Sequence, residues 1–98
     1  MKNLKVGLLV MTRGVNDAVA KNTEFAKFIL ICLSRYRHCD WGDLDTEDKQ
    51  ANNRALEDEQ RIIAAYRLPK GIKGPAEKIW IITEWDRSFT TILWPSEY

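Results

Sequence analysis

Cysteine is scarce in this chain: Cys32 and Cys39 are the only two among 98 residues. Small secreted domains hold themselves together with several disulfides, and one possible bridge is too few for that. Charge of one sign is also missing. Fifteen basic and 14 acidic side chains leave a net charge of +1, so no global field draws the chain onto nucleic acid or lipid. Long apolar runs are absent. The stretch Val6 to Met11 is too short for a membrane span or a signal-peptide core, and Thr12-Arg13-Gly14 is no cleavage site. With no targeting signal to read, the expectation is a cytoplasmic protein.

Motifs of the common enzyme classes are lacking too. Gly14 stands alone, and Gly71 with Gly74 has no Lys-Ser or Lys-Thr after it, so no glycine loop cradles a phosphate. Ser34, Ser88 and Ser96 have no nucleophile motif around them. Cys32 and the single histidine, His38, are six residues apart, about 240° round a helix, and point away from each other. What remains is ordinary globular material. Apolar residues make up 45% and charged residues 30%, which argues against disorder and for one small domain.

Periodicity supplies the elements. Lys5 to Thr12 is a short apolar run closed by Gly14 and predicts a first strand. So apolar a run suggests burial on both faces, or a central position in a sheet. Asn16 and Asn22-Thr23 offer helix caps. Phe25, Phe28, Ile29, Cys32, Leu33 and Tyr36 then recur at three- and four-residue steps, as one face of an amphipathic helix does. Asp45 caps a second helix, with Glu47 and Asp48 in its first turn and only Ala51, Ala55 and Leu56 apolar. That composition suits a surface helix over a sheet edge. Arg61 to Leu68, Lys78 to Trp85 and Phe89 to Trp94 read as strands. Asp86-Arg87-Ser88 is the hairpin turn between the last two, and Pro95 is the stop. The expected fold is a single α+β domain over residues 1–98, ordered β-α-α-β-β-β. Its four-stranded sheet is expected to be antiparallel with two helices on one face.

Two constellations have the composition of a chemical site. The first is His38-Cys39-Asp40-Trp41-Gly42-Asp43, at the end of the amphipathic helix. Zinc needs three or four N, S or O ligands at about 2.0–2.3 Å, and a glycine turn after a helix can fold short side chains toward one point. His38 is the foremost ligand candidate, with Cys39, Asp40 and Asp43 beside it. Asp48 and Asn52, one helical turn apart, are placed to approach from the next helix. The same residues have a structural reading, in which His38 satisfies the helix end and the aspartates cap the second helix. The second constellation is Glu84 and Asp86, two apart on a strand. Paired carboxylates can work as acid and base or hold Mg²⁺. A metal-dependent nuclease would use them, with His38. The structural reading has Asp86 and Ser88 build the turn while Arg87 pairs with a carboxylate.

Charge is unevenly spread. Residues 40–60 carry eight acidic and two basic side chains, so more than half the acids lie in 21 residues. Asp45, Glu47, Asp48, Glu57, Asp58 and Glu59 form either a solvated helix face or a negative surface that docks on a basic partner. Trp85 and Trp41, beside acidic turns, are candidate interface anchors.

Several of these residues also carry a resemblance. Thr12-Arg13-Gly14, a helix ending in Arg37-His38, Asp40-Trp41-Gly42-Asp43, Glu47-Asp48-Lys49 and Asn52 or Asn53 form its first part. Trp80-Ile81-Ile82-Thr83-Glu84, Asp86-Arg87-Ser88, Thr90-Thr91-Ile92-Leu93 and Pro95 with Glu97-Tyr98 complete it. Taken together, the chain resembles small plasmid- and prophage-encoded proteins of Gram-positive mobile elements. Their pattern tends to have glycine where this chain has Cys39, and a small residue at Trp85. The resemblance implies a mobile-element setting. Phage-borne proteins of this kind are similar to anti-CRISPR proteins that block type II effector nucleases. It therefore implies a non-enzymatic inhibitor, acting on a host-defence nuclease without contacting nucleic acid itself. An accessory subunit of a restriction-modification system is the alternative from the same resemblance.

Overall fold

The structure is a computed structural model that describes residues 3–98. Met1 and Lys2, the start of the charged N-terminal segment, lie outside the described residues. The elements are β1 (Leu8–Met11), α1 (Arg13–Lys21), α2 (Thr23–Arg37), α3 (Thr46–Asp58), β2 (Ile62–Arg67), β3 (Lys78–Thr83) and β4 (Phe89–Leu93), followed by a 3₁₀ turn at Pro95–Glu97. Strand order across the sheet is β1-β4-β3-β2.

The α+β class is as expected, but the sheet is mixed rather than antiparallel. β2–β3 and β3–β4 pair antiparallel, as chain-consecutive strands with no helix between them do, whereas β1 pairs parallel with β4, Leu8 opposite Phe89 and Met11 opposite Ile92. All three helices intervene between β1 and β2, so no turn dictates the direction of β1. The expectation of two helices is also corrected: there are three among the described residues. α1 lies between the expected first strand and the amphipathic helix, where the sequence offers only the helix caps Asn16 and Asn22-Thr23, and its own N-cap is Thr12. Its first turn is capped from the far end of the chain. The Glu97 carboxylate accepts from the Gly14 N–H at 2.9 Å and the Thr12 hydroxyl at 2.6 Å, and also from the Trp94 N–H at 3.1 Å. Those bonds, the Thr12 hydroxyl first, hold the Glu97 carboxyl below its ordinary pKa. A cap 83 residues away leaves no local signature.

Alternation along the strands separates two faces. Ile62, Ala64 and Tyr66, then Ile79, Ile81 and Thr83, then Thr90, Ile92 and Trp94 point at the helices and are buried. Val15 of α1 and Phe25, Ile29, Cys32 and Tyr36 of α2 close that core, with the Phe25 ring stacked 5.4 Å from the Trp94 ring. Inside it the polar groups are paired. The Tyr36 hydroxyl lies 2.6 Å from Thr83 Oγ1, Thr83 lies 2.7 Å from Thr90, and Thr90 donates to the Val6 carbonyl at 2.7 Å. Since Thr90 donates outward, the relay runs Tyr36 to Thr83 to Thr90, and every member is satisfied. Cys32 is fully buried, and burial pushes its thiol up to about 12, the state of a small apolar side chain rather than a nucleophile.

The two edges of the sheet differ. α3 and the segment before it seal the β2 edge. Asn52, itself buried, donates to the Ile63 carbonyl at 2.9 Å and accepts from the Ile63 N–H at 3.4 Å. Asp43 continues the seal, its N–H to the Ala65 carbonyl at 2.7 Å and its carboxylate to the Arg67 N–H at 2.8 Å. β1 forms the opposite edge. Its four residues are all exposed, against the expectation of a strand buried on both faces. Among the described residues no helix is long and apolar enough to cross a membrane.

Candidate functional site

The end of α2 is built from residues read as a possible zinc site, and His38, Cys39 and Asp40 are engaged in closing the helix. His38 is the C-cap, and its Nδ1–H donates to the Ser34 carbonyl at 2.8 Å. Cys39 comes next with φ 64°, the left-handed position that glycine usually fills. Its N–H bonds to the Tyr36 carbonyl and the Asp40 N–H to the Arg35 carbonyl, the double closure of a Schellman motif. Asp40 takes a two-pronged grip from Arg35, at 2.7 and 3.2 Å, and accepts from the Gly42 N–H at 3.1 Å. The Arg35 bond above all holds the Asp40 carboxyl below its ordinary pKa. Asp43 faces the β2 edge instead.

Among the described residues no three His, Cys, Asp or Glu side chains are grouped to hold a metal ion. His38 turns back on its own helix, Asp40 is held by Arg35, and Asp43 is bonded to backbone two strand positions from Ala65. Trp41 is corrected as an anchor: it is buried, edge-on to Tyr36 at 5.6 Å, with its indole N–H on Asn53 Oδ1 at 2.9 Å.

Glu84 and Asp86 do not form a carboxylate pair. Glu84 closes β3 and lies 3.7 Å from the Arg61 guanidinium. Asp86 folds onto its own turn, accepting from the Ser88 N–H at 3.0 Å and hydroxyl at 2.6 Å, and these bonds hold its carboxyl below the ordinary value.

Sequence reasoning missed the role of Arg87. Its guanidinium reaches back to α3 and donates to the Ala55 carbonyl at 2.9 Å and the Gln60 carbonyl at 2.7 Å, with a longer bond to Glu84 O at 3.2 Å. Orphan carbonyls at a helix C-terminus carry partial negative charge, so a guanidinium is a fitting cap. No local pattern announces it, because the helix and the cap are 32 residues apart. Arg87→Ala is expected to lower stability by about 3 kcal/mol, and Arg87→Lys to recover little of it, since the guanidinium spreads these bonds over two nitrogens and an ammonium has one. Urea unfolding of both variants measures this.

Arg87 also assembles the candidate site. It ties the β3–β4 turn to the end of α3, so Trp85 and the acids Glu57, Asp58 and Glu59 stand at one end of the molecule. Trp85 is 61% exposed, unlike Trp41 and Trp94, and the three acids are exposed. Asp45 caps α3 by accepting from the Asp48 N–H at 2.8 Å, and Glu47 and Asp48 suit the positive end of the helix dipole. Glu57, Asp58 and Glu59 do not: they sit at the negative end, with no basic residue in the last turn. Glu59 also holds a left-handed backbone, φ 52°. Asp48 and Ala51 further border a groove of about 480 Å³ on the back of the sheet, where Trp80, Tyr98, Arg61 and Lys78 lie.

The chain was compared with protein-family models, curated proteins and solved structures, and it matches none of them.

Proposed function

We propose that this protein is a non-catalytic binding module, and that its acidic α3 surface docks on a positively charged protein. The observation that carries this reading is the placement of Glu57, Asp58 and Glu59. They are exposed, they oppose the helix dipole, and they share one end of the fold with the exposed Trp85. An aromatic anchor rimmed by like charges is the composition of a docking site for a basic surface. Asp45, Glu47 and Asp48 extend the negative field along the same helix.

The resemblance to small mobile-element proteins directs the reading to host-defence nucleases, with a type II CRISPR effector as the first partner to test. Such effectors hold guide and target duplexes in positively charged channels. A surface with six acids along one helix enters such a channel as a substitute for phosphate and obstructs the target. Inhibition then requires no bond to be made or broken by this chain, and no metal. Binding to the purified effector, followed at low and high salt, tests the reading. Charge complementarity mainly sets the on-rate, so association slows steeply as salt rises while dissociation changes less. Association indifferent to salt, or no binding to an effector from a matching host, removes this docking mode.

A further inference from the structure

β1 has the composition of an interior strand and the position of an edge strand. Leu9 and Met11 point to the helix side, Leu8 and Val10 to the back, and all four are exposed, Leu8 by 70%. Edges are normally blunted by lysine, proline, a bulge or a covering segment. The β2 edge has such a cover in Asn52 and Asp43, and β1 has none of these devices among the described residues. The apolar surface continues beyond the strand. Leu9, Met11, Val19, Ala26, Leu30 and Leu33 line a groove of about 300 Å³ between β1 and α2, and Leu30 is 67% exposed.

The free backbone groups are set by the pairing with β4. The Leu8 N–H bonds to the Ser88 carbonyl and the Thr12 N–H to the Ile92 carbonyl, so the even-numbered residues face β4. Leu9 and Met11 therefore direct their N–H and C=O groups outward. We propose that a second copy of this chain occupies the edge. β1 pairs antiparallel with β1 of the second copy about a two-fold axis through Val10, and the two sheets join into one of eight strands. In this register Leu9 lies opposite Met11 of the other copy, and the two residues exchange both backbone bonds. Val10 lies opposite Val10 on the back face. The helices of both copies stay on one side.

The features of the edge select this occupant. A strand that fits must be apolar on both faces and must present two outward residues at the same spacing. β1 meets both conditions toward itself. Lys5 and Arg13, the nearest charges in the sequence, fall outside the four paired residues. The exposed parts of Leu8, Leu9, Val10, Met11, Leu30 and Phe89 amount to roughly 500 Å² per copy, which puts a pair near the roughly 1,000 Å² that a specific interface must clear. The acidic α3 surface lies on the opposite edge of the sheet, so the dimer leaves it open at both ends.

Sedimentation equilibrium of the full chain from about 1 µM to about 1 mM tests the proposal. The expected result is reversible association to twice the 11.4 kDa chain mass, undiminished by salt. Val10→Lys sets two ammonium groups face to face at the axis and is expected to weaken association more than about 100-fold. A second pair of variants reads the register without a change of charge. Val10→Cys is expected to oxidise to a covalent dimer, beyond the parent chain that controls for Cys39, while Leu8→Cys, opposite Thr12, is not. A monomer throughout the concentration range, a dimer indifferent to Val10→Lys, or cross-linking through Leu8→Cys as readily as through Val10→Cys overturns the proposal.

Discussion

Gly42→Ala is expected to lower the melting temperature by roughly 20 °C, the equivalent of about 4 kcal/mol for a domain of this size. Gly42 lies in the turn between α2 and α3 with φ 76° and forms an isolated bridge to Ala65 of β2. A methyl group there would stand 2.1 Å from the Ala65 carbonyl oxygen and 2.7 Å from the Tyr66 ring. Both neighbours are fixed, one by strand pairing and the other by full burial and a bond from its hydroxyl to the Asp40 carbonyl. The clash and the left-handed backbone therefore act together, and neither relaxes without the other. The substitution also lifts Asp43 from the Ala65 carbonyl and the Arg67 N–H, which opens the β2 edge, so aggregation on heating is expected besides the lower melting point. Gly71 is the control. It has a similarly positive φ of 94° with nothing near it, and Gly71→Ala is expected to cost only about 1 kcal/mol. Thermal melts of the two variants side by side separate close approach from backbone strain.

Reversing Glu57, Asp58 and Glu59 to lysine is expected to move binding and stability apart. Affinity for a basic partner falls more than about 100-fold at low salt, because attraction becomes repulsion at the centre of the docking surface. Folding stability stays within about 1 kcal/mol of the parent, since cations are favoured at a helix C-terminus and the three side chains are exposed. A site held for folding would lose both together. Retained affinity with an intact fold would place the interface elsewhere. Trp85→Ala, at the same end, is expected to weaken binding with little effect on melting, as an exposed anchor does.

Much of the fold was legible where structure is local. The stripe from Phe25 to Tyr36 reads directly as α2, because its apolar face is complete within the helix itself. β2, β3 and β4 are legible because strands that follow one another in the chain with no helix between them pair antiparallel. Asp45 was legible as a cap because it precedes its helix. What escaped was non-local. α1 takes its N-terminal partner from Glu97, α3 takes its C-terminal partner from Arg87, and β1 finds β4 from the other end of the chain. The candidate site divides in the same way. The acidic run is plain in the sequence, whereas Trp41 and Trp85 read alike beside acidic turns and only Trp85 is exposed. The meeting of the acids with Trp85 at one end is not plain, since it depends on a guanidinium that reaches across 32 residues. The residues around His38 show the converse. Histidine, cysteine and aspartates in a glycine turn have the composition of a metal site, and the same side chains serve to end one helix and seal a strand.

The measurement that bears most directly on the central claim is the stoichiometry of inhibition. Target cleavage by a purified type II effector is followed while this protein is titrated against a fixed amount of enzyme, at concentrations well above their dissociation constant. A non-catalytic module that fills a charged channel predicts a linear fall to an endpoint set by the molar ratio of binding sites, with partial recovery of cleavage as salt is raised. Full inhibition at a small fraction of the enzyme concentration, growing with time of incubation, would show turnover and contradict the account.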